Sequence, residues 1–347
     1  MDLTSMTEAV AAGREIPSAA LAKTAAALAE PAIPAASKEA LLEALAKRGE
    51  TAGEIAGFAR AFRAMARDPG LSRWSSGAID VCGTGGDRSG SFNISTTVAF
   101  VLAAAGVPVF KHGNRSVTSH CGSADLLEAV GIRIDADGSM LQRSMEELSF
   151  VFLFAPKFHP AFKEIGPVRR SLATRGVRTV FNLLGPLLNP AAPAHQVVGV
   201  FAENIVAPVA HALDSLGLAG GMAVHCVDGD GRGYDELTTV GTNRIAGFGR
   251  HRGIDESFPP GKVGLRLSAP GDLAGGDLAA NVALLERVLE GAAPQGLLDT
   301  IALNTAAGLF AVGRVGSLEA GIAPARELLT GGAVKAWLQK ARAFYRG

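Results

Sequence analysis

Residues 81–96 read VCGTGGDRSGSFNIST: an apolar run, a glycine cluster, an aspartate and then a hydroxyl-rich helix start. Glycines let backbone N–H groups approach phosphate oxygens closely, and a helix N-terminus adds partial positive charge, so this order suits a phosphate cradle. Asn93, Ser95 and Thr96 can add side-chain donors. A tight turn with Ser95 as an ordinary N-cap is the competing reading. The spacing matches neither GxGxxG nor GxxxxGK[ST], so neither common nucleotide cradle explains it. A second segment, KHGNRSVTSHCGSADLLEAVG at 111–131, again follows an apolar run and puts Lys111, His112, Asn114, Arg115 and Ser123 in one loop. A loop that only faces water would not need two internal glycines and another helix start at Ser123. Further along, Asp235 and Glu236 follow a glycine-rich turn as paired hard oxygen donors, suited to an ion that keeps several waters and bridges phosphates. On residue type alone, a solvated charge pair is the simpler explanation of those two.

These donors need a frame. Residues 18–66 are Ala- and Leu-rich with charges at helical spacing, and Pro31 and Pro34 divide them into separate helices. Asp68, Pro69 and Gly70 form a breaker cluster, which places a domain boundary near residue 75. Beyond it, apolar runs at 78–82, 107–111, 150–154, 196–201, 222–227 and 244–248 are predicted strands, most of them separated by helical stretches. Apolar strands alternating with amphipathic helices imply an α/β class with a mainly parallel sheet covered on both faces, and ligands at the carboxyl ends of its strands.

Composition narrows the partners. The chain has 347 residues, 48% of them hydrophobic, enough for one large domain with a smaller companion. Thirty-three basic residues balance 33 acidic ones, so no global field would hold it on nucleic acid or an anionic membrane. A small-molecule partner is expected instead. Cys82, Cys121 and Cys226 stand far apart, in no metal-binding spacing, and are expected as free thiols in a reducing compartment. The first residues, MDLTSMTEAVAAGREIP, lack the pattern of a secretory signal, so a cytoplasmic location is expected. The apolar run 98–110 is broken by Gly106 and Pro108 and falls short of the ~20 residues of a membrane span, so it reads as a buried helix running into a buried strand.

Taken together and in order, GTGGD, SFNIST and KHGNRSVTSHCGSADLLEAVG resemble the motifs of the anthranilate phosphoribosyltransferase family. FAPKFHPAFKEIGPVRR at 154–170, RTVFNLLGPLLNP at 178–190, GYDEL at 233–237 and LLDTIALNTAAGL at 297–309 are similar to it as well, with a weaker match in KRGETAGEIAGF at 47–58. The resemblance implies a class IV phosphoribosyltransferase architecture, like that of the nucleoside phosphorylases. A small helical domain, 1–74, would be joined by a helical segment near 165–190 and stand beside an α/β domain, 75–347, with a homodimer formed through the helical part. It implies transfer of ribose 5-phosphate from phosphoribosyl pyrophosphate (PRPP) to the amine of anthranilate, with Mg2+ as cofactor, in tryptophan biosynthesis. PRPP-binding positions would be Gly83, Thr84, Gly85, Gly86, Asp87, Asn93, Ser95, Thr96, Lys111 and Ser123. Anthranilate would meet Gly83, His112, Asn114, His159, Arg169 and Gly185, and the metal would meet Ser95, Asp235 and Glu236.

The chemistry is consistent with those assignments. Pyrophosphate leaving C1 of ribose needs a cation and oriented donors, and Lys111 can act as a point charge on phosphate. Anthranilate is a flat ring with an amine and a carboxylate, so it needs an apolar slot and a cation, for which Arg169 is the candidate. The chain shows no Ser/His/Asp or Cys/His nucleophile arrangement, so substitution through a loose, oxocarbenium-like transition state with inversion is expected, driven by positioning and electrostatics. His120, His195, His211, His225 and His251 receive no role. SLATRGV, after PVRR, runs roughly three residues longer than the family's spacing, and the stretch 33–45 departs from its usual polar helix start. A pyrimidine nucleoside phosphorylase, and a non-catalytic relative that binds nucleic acid, are the alternative readings.

Overall fold

The computed structural model describes residues 2–115 and 121–346. His120 and the rest of 116–120, inside the second motif, lie outside the described residues. The chain starts with four helices: α1 (Leu3–Ala11), α2 (Ser18–Ala29), α3 (Ala35–Arg48) and α4 (Ala52–Ala64). Their starts are written locally. Asp2 accepts the Ser5 N–H at 2.9 Å ahead of α1, Pro17 and Pro34 precede α2 and α3, and Thr51 with Glu54 forms a capping box on α4. Glu54 is also bonded by the Ile16 N–H at 2.9 Å and pairs with Arg48, which ties the entry of α2 to the start of α4.

The α/β part follows as β1 (Ile79–Gly83), α5 (Ile94–Ala104), β2 (Val109–Gly113), α6 (Ser123–Ala129), α7 (Gly138–Leu148) and β3 (Phe150–Phe154). Three helices, α8 (Ala155–Phe158), α9 (Phe162–Thr174) and α10 (Phe181–Leu187), lead to β4 (His195–Gly199), α11 (Val206–Ser215) and β5 (Gly220–Asp228). The chain closes with β6 (Gly233–Tyr234), β7 (Gly241–Gly249), β8 (Asp255–Phe258) and α12 to α15 (Leu278–Leu289, Gln295–Ala311, Leu318–Thr330, Ala333–Arg346). The eight strands form one sheet in the order β3-β2-β1-β4-β5-β7-β8, with β6 paired to β5 off that path. The pairs from β3 to β5 are parallel, with Val81 opposite Val197 and Val197 opposite Met222. β7 turns antiparallel on β5, because no helix intervenes between them and a parallel partner would need a crossover.

Strand alternation divides the core between the two faces of the sheet. Val81 and Val197 pack with α5 and α13 in one apolar cluster, while Cys82 and Val198 join another that runs on through α11 into α1 to α4. Helices α9 and α10 belong to that second cluster through Ile165, Val168, Leu172, Phe181 and Leu184. The run 98–110 is the buried end of α5 followed by β2, and all three cysteines are buried, with no disulfide among the described residues. Trp337 on α15 donates its indole N–H to the Leu148 carbonyl at 2.9 Å and packs on Phe100 and Phe150 at 5.3 and 5.5 Å. Trp74 is half-buried near residue 75 under the Arg73 guanidinium, 3.8 Å from its ring. Among the described residues no helix is long and apolar enough to cross a membrane.

Candidate active site

From β1 the chain winds outward to β2 and β3, then returns to place β4 on the other side of β1. At such a reversal the loops after the two adjacent strands part and leave a crevice at their carboxyl ends. The Thr84 N–H spans this junction to the Gly199 carbonyl at 2.9 Å. Beyond Thr84 the loop turns through positive φ at Gly85, Gly86, Arg88 and Gly90, then enters α5 behind Asn93, whose side chain makes no cap bond. Asn93 instead donates to the Cys121 carbonyl at 3.2 Å, and its Oδ1 is buried without a hydrogen-bond partner among the described residues. Ser95 and the buried Thr96 stand on the first turn of α5. Ser95, rather than capping the helix, offers its backbone N–H and hydroxyl to the site.

Asp235 and Glu236, immediately after β6, reach this loop from across the sheet. The Gly85 N–H donates to Asp235 Oδ2 at 2.7 Å, and the Asp235 N–H donates to Asp87 Oδ2 at 3.3 Å. Glu236 Oε1 accepts the Ser95 N–H at 3.1 Å, so a carboxylate covers the positive end of α5. The passage is narrow. A Cβ on Gly83 would lie 2.2 Å from the Asp235 carboxylate, and one on Gly199 would lie 1.5 Å from the Asp235 carbonyl oxygen. Lys111, buried on β2, donates to the Val81 carbonyl at 2.9 Å and reaches the Ser95 hydroxyl at 3.4 Å.

Crowding governs the charges here. Burial, then the neighbouring Asp87 and Glu236 charges, hold the Asp235 carboxyl well above the usual carboxylate range. Burial raises Glu236 to about 7 against the pull of Lys111, and burial lowers the Lys111 ammonium. Among the described residues no three His, Cys, Asp or Glu side chains form a ready-made metal cage. The carboxylates nevertheless fit magnesium, which takes one or two protein carboxylates and completes its shell with waters and phosphate oxygens. A divalent cation would relieve the repulsion that raises Asp235.

Neighbouring residues on β2 point to opposite faces, so His112 looks away from Lys111 towards the other face of the sheet. Its Nε2 lies 3.1 Å from Nε2 of His159, and the two rings meet nearly edge to face at 5.1 Å. Burial, then the His159 charge, lowers His112 to about 3, with a bond to the Gly185 backbone acting the other way. Burial lowers His159 to about 4. Phe162 meets His159 and Phe181 edge to face at 5.7 and 5.4 Å and Phe62 at a tilt at 5.5 Å, making an aromatic wall shared by α4, α9 and α10. Arg169 stands half-buried beside it, its guanidinium 5.8 Å from the Phe181 ring and its pKa lowered by burial. Among the described residues no carboxylate forms an ion pair with it. Gly185 lies on α10 with open space where a Cβ would stand. Asn114 is exposed just past β2, and its carbonyl accepts the Ser123 hydroxyl at 3.2 Å.

Other residues join the site without standing out in the motifs. Asp80 is fully buried on β1, bonded by the Asn189 amide at 2.9 Å and the His112 N–H at 3.4 Å. Burial raises it to about 6 against the pull of Lys111. A carboxylate inside the apolar run IDVCG was the available signal, because a buried charge needs partners. Arg63 on α4 donates to the Leu187 carbonyl and is lowered to about 10 by burial, with Asp80 opposing. Arg178 donates to the Gly86 carbonyl at 2.9 Å. Nothing in their spacing sets either arginine apart from ordinary surface cations.

Comparison with known proteins agrees with this geometry. A family model described as "Glycosyl transferase family, a/b domain" matches residues 75–335. Anthranilate phosphoribosyltransferase of Deinococcus radiodurans is 44% identical over 301 residues, covering 87% of this chain and 86% of that protein. The Thermus thermophilus enzyme is 45% identical over 306 residues, covering 88% of each. A crystal structure of the enzyme from Thermus thermophilus superposes with a TM-score of 0.89 at 42% identity, covering 99% of both chains. The Saccharomyces cerevisiae enzyme, solved in complex with PRPP and Mg, shares the fold with a TM-score of 0.81 at 24% identity, covering 99% of this chain and 98% of that one. With matches of this identity and coverage, the chain belongs to the anthranilate phosphoribosyltransferase family.

Proposed function

We infer that this chain transfers the 5-phosphoribosyl group of PRPP to the amine of anthranilate, releasing pyrophosphate. The observation that carries the reading is the convergence, at the reversal between β1 and β4, of the glycine loop, the start of α5, Lys111 and the Asp235–Glu236 pair. An aromatic wall stands on the opposite side of β2, beside the Arg169 guanidinium, which no carboxylate among the described residues pairs. The N–C1 bond forms as the C1–O bond to pyrophosphate breaks, and the amine gives up a proton to solvent or a weak base. The loop N–H groups and Lys111 face phosphate oxygens, while Asn93 Oδ1 and the Ser95 and Ser123 hydroxyls complete the PRPP side. Magnesium would be held by Asp235, Glu236 and Ser95, and would neutralise charge growing on the leaving pyrophosphate. The His112–His159 pair, kept neutral by burial, lines the slot, and Arg169 receives the anthranilate carboxylate. Residues 1–74 with the helical segment near 165–190 act as one domain and 75–347 as the other, with a second copy meeting the helical part in a cytoplasmic homodimer.

The test is a fluorescence assay of anthranilate consumption. Loss of signal is expected only when PRPP and magnesium are both present. Phosphorolysis of thymidine with no turnover of anthranilate would overturn the reading in favour of a nucleoside phosphorylase. A salt-sensitive gel shift without turnover would favour a nucleic-acid-binding relative instead.

A further inference from the structure

The segment between α9 and α10 touches both the helical part and the glycine loop. At its start Arg175 forms ion pairs with Glu43 and Glu39 on α3, at 3.0 and 3.4 Å. Three residues on, Arg178 crosses to the glycine loop, donating to the Gly86 carbonyl at 2.9 Å, while its guanidinium lies 4.3 Å from the ring of Phe201, just past β4. The segment is therefore pinned to the helical part at one end and to the glycine loop at the other. Its flanking helices carry Arg169 and Gly185.

We propose that Arg178 is a positioning residue for PRPP, holding the glycine loop from outside so that its N–H groups stay aimed into the crevice. This rests on the phosphoribosyl-transfer reading above. In a trans peptide the C=O and the following N–H point in opposite directions. Fixing the Gly86 carbonyl outward thus turns the Asp87 N–H inward. Gly85 and Gly86, at φ +69 and +77, give this stretch the freedom it needs to take the loop's shape and also the freedom to lose it. A carbonyl held by a guanidinium restricts that freedom, and the Phe201 ring in turn restricts the guanidinium. Arg178 itself is exposed, so it acts on the loop from the solvent side and does not touch the substrate.

The experiment compares wild type with Arg178→Ala, Arg178→Gln and Arg178→Lys. Removing a charged hydrogen bond should raise the PRPP KM roughly 5- to 30-fold, with kcat and the anthranilate KM at saturating PRPP changed much less. Arg178→Lys should recover part of the effect, since an ammonium can still donate to the carbonyl but cannot stack on Phe201. A second readout is the rise in unfolding temperature produced by PRPP with magnesium, which should shrink in Arg178→Ala without an equal fall in the ligand-free value. If Arg178→Ala and Arg178→Gln keep the wild-type PRPP KM and thermal shift, the proposal is wrong. If they lose only ligand-free stability and kcat, the residue is merely structural and the proposal is equally wrong. A wild-type protein that does not use PRPP would instead remove the underlying reading.

Discussion

Arg169 shows how much one side chain can decide. It is half-buried and has no carboxylate partner among the described residues, an expensive state unless an anion arrives. Charge-assisted hydrogen bonds contribute about 1.5 to 3 kcal/mol, so Arg169→Ala should lower kcat/KM for anthranilate roughly 10- to 150-fold while PRPP affinity changes little. Steady-state kinetics with each substrate varied would check this, and an unaltered anthranilate KM and kcat would remove the role. If the longer SLATRGV stretch shifts this edge of the pocket, Arg170 and Arg175 are the alternatives; Arg175 is engaged with Glu39 and Glu43 on α3, Arg170 is exposed, and alanine variants at all three positions would tell them apart. Asp235→Asn and Glu236→Gln should each raise the magnesium concentration needed for half-maximal rate while the far-ultraviolet dichroism stays that of the wild type. Unchanged midpoints in both would rule out metal binding by this pair. The site residues were legible where glycine, hydroxyl and charge cluster within a few positions, as in GTGGD or KHGN. Arg63 and Asn189 were not, because each acts across more than 70 residues of chain, through a carbonyl or a carboxylate that only the fold brings near.

The elements set up a contrast between two glycines. Gly199 on β4 faces the Asp235 backbone so closely that a Cβ would fall 1.5 Å from its carbonyl oxygen, whereas a Cβ on Gly185 would meet nothing within 4 Å. Gly199→Ala must therefore push Asp235 away or break the β1–β4 register, and should abolish magnesium-dependent activity together with several degrees of unfolding temperature. Gly185→Ala lies within a helix, where alanine is favoured by about 1 kcal/mol, so it should leave stability equal or higher while raising the anthranilate KM. Scanning calorimetry beside kinetics checks the pair, and a destabilised Gly185→Ala of normal KM would remove that glycine from the slot. Strands were readable as apolar runs to within about three residues at either end, and β3 matched fully. The antiparallel turn of β7 was hidden because alternation reports burial, not direction. The two-residue β6 and the exposed β8 have no apolar run to announce them, and α1 precedes the stretch whose helical pattern was clear.

For the molecule as a whole, pH is a test of how the core is charged. His112 and His159 are held neutral, near 3 and 4, against an ordinary 6.5. Below about 6.5 the unfolded chain takes up protons that the folded one refuses, so their contribution is present above that pH and is lost as pH falls towards 4. Asp80, raised to about 6, works oppositely and gains as pH falls through that value. The difference between wild type and His159→Gln isolates the histidine part: the fall in unfolding temperature from pH 7 to pH 5 should be smaller in the variant, and equal slopes would contradict the buried neutral pair. Zero net charge and the alternating pattern foretold an α/β molecule of small-molecule chemistry, but the sharing of one apolar cluster between α1 to α4 and a face of the sheet depends on long-range packing that no local pattern encodes. The placement of the two tryptophans turns this organisation into a pair of optical reporters. Trp337, 8% exposed, packs against Phe100 and Phe150 behind the helix that follows the glycine loop, while Trp74 stands half in water near the start of the sheet domain. Acrylamide should quench Trp74 emission first and leave Trp337 blue-shifted and shielded. A Trp74→Phe protein would then carry a single tryptophan, which excited at its red edge could follow ligand-driven tightening around α5 with no added dye.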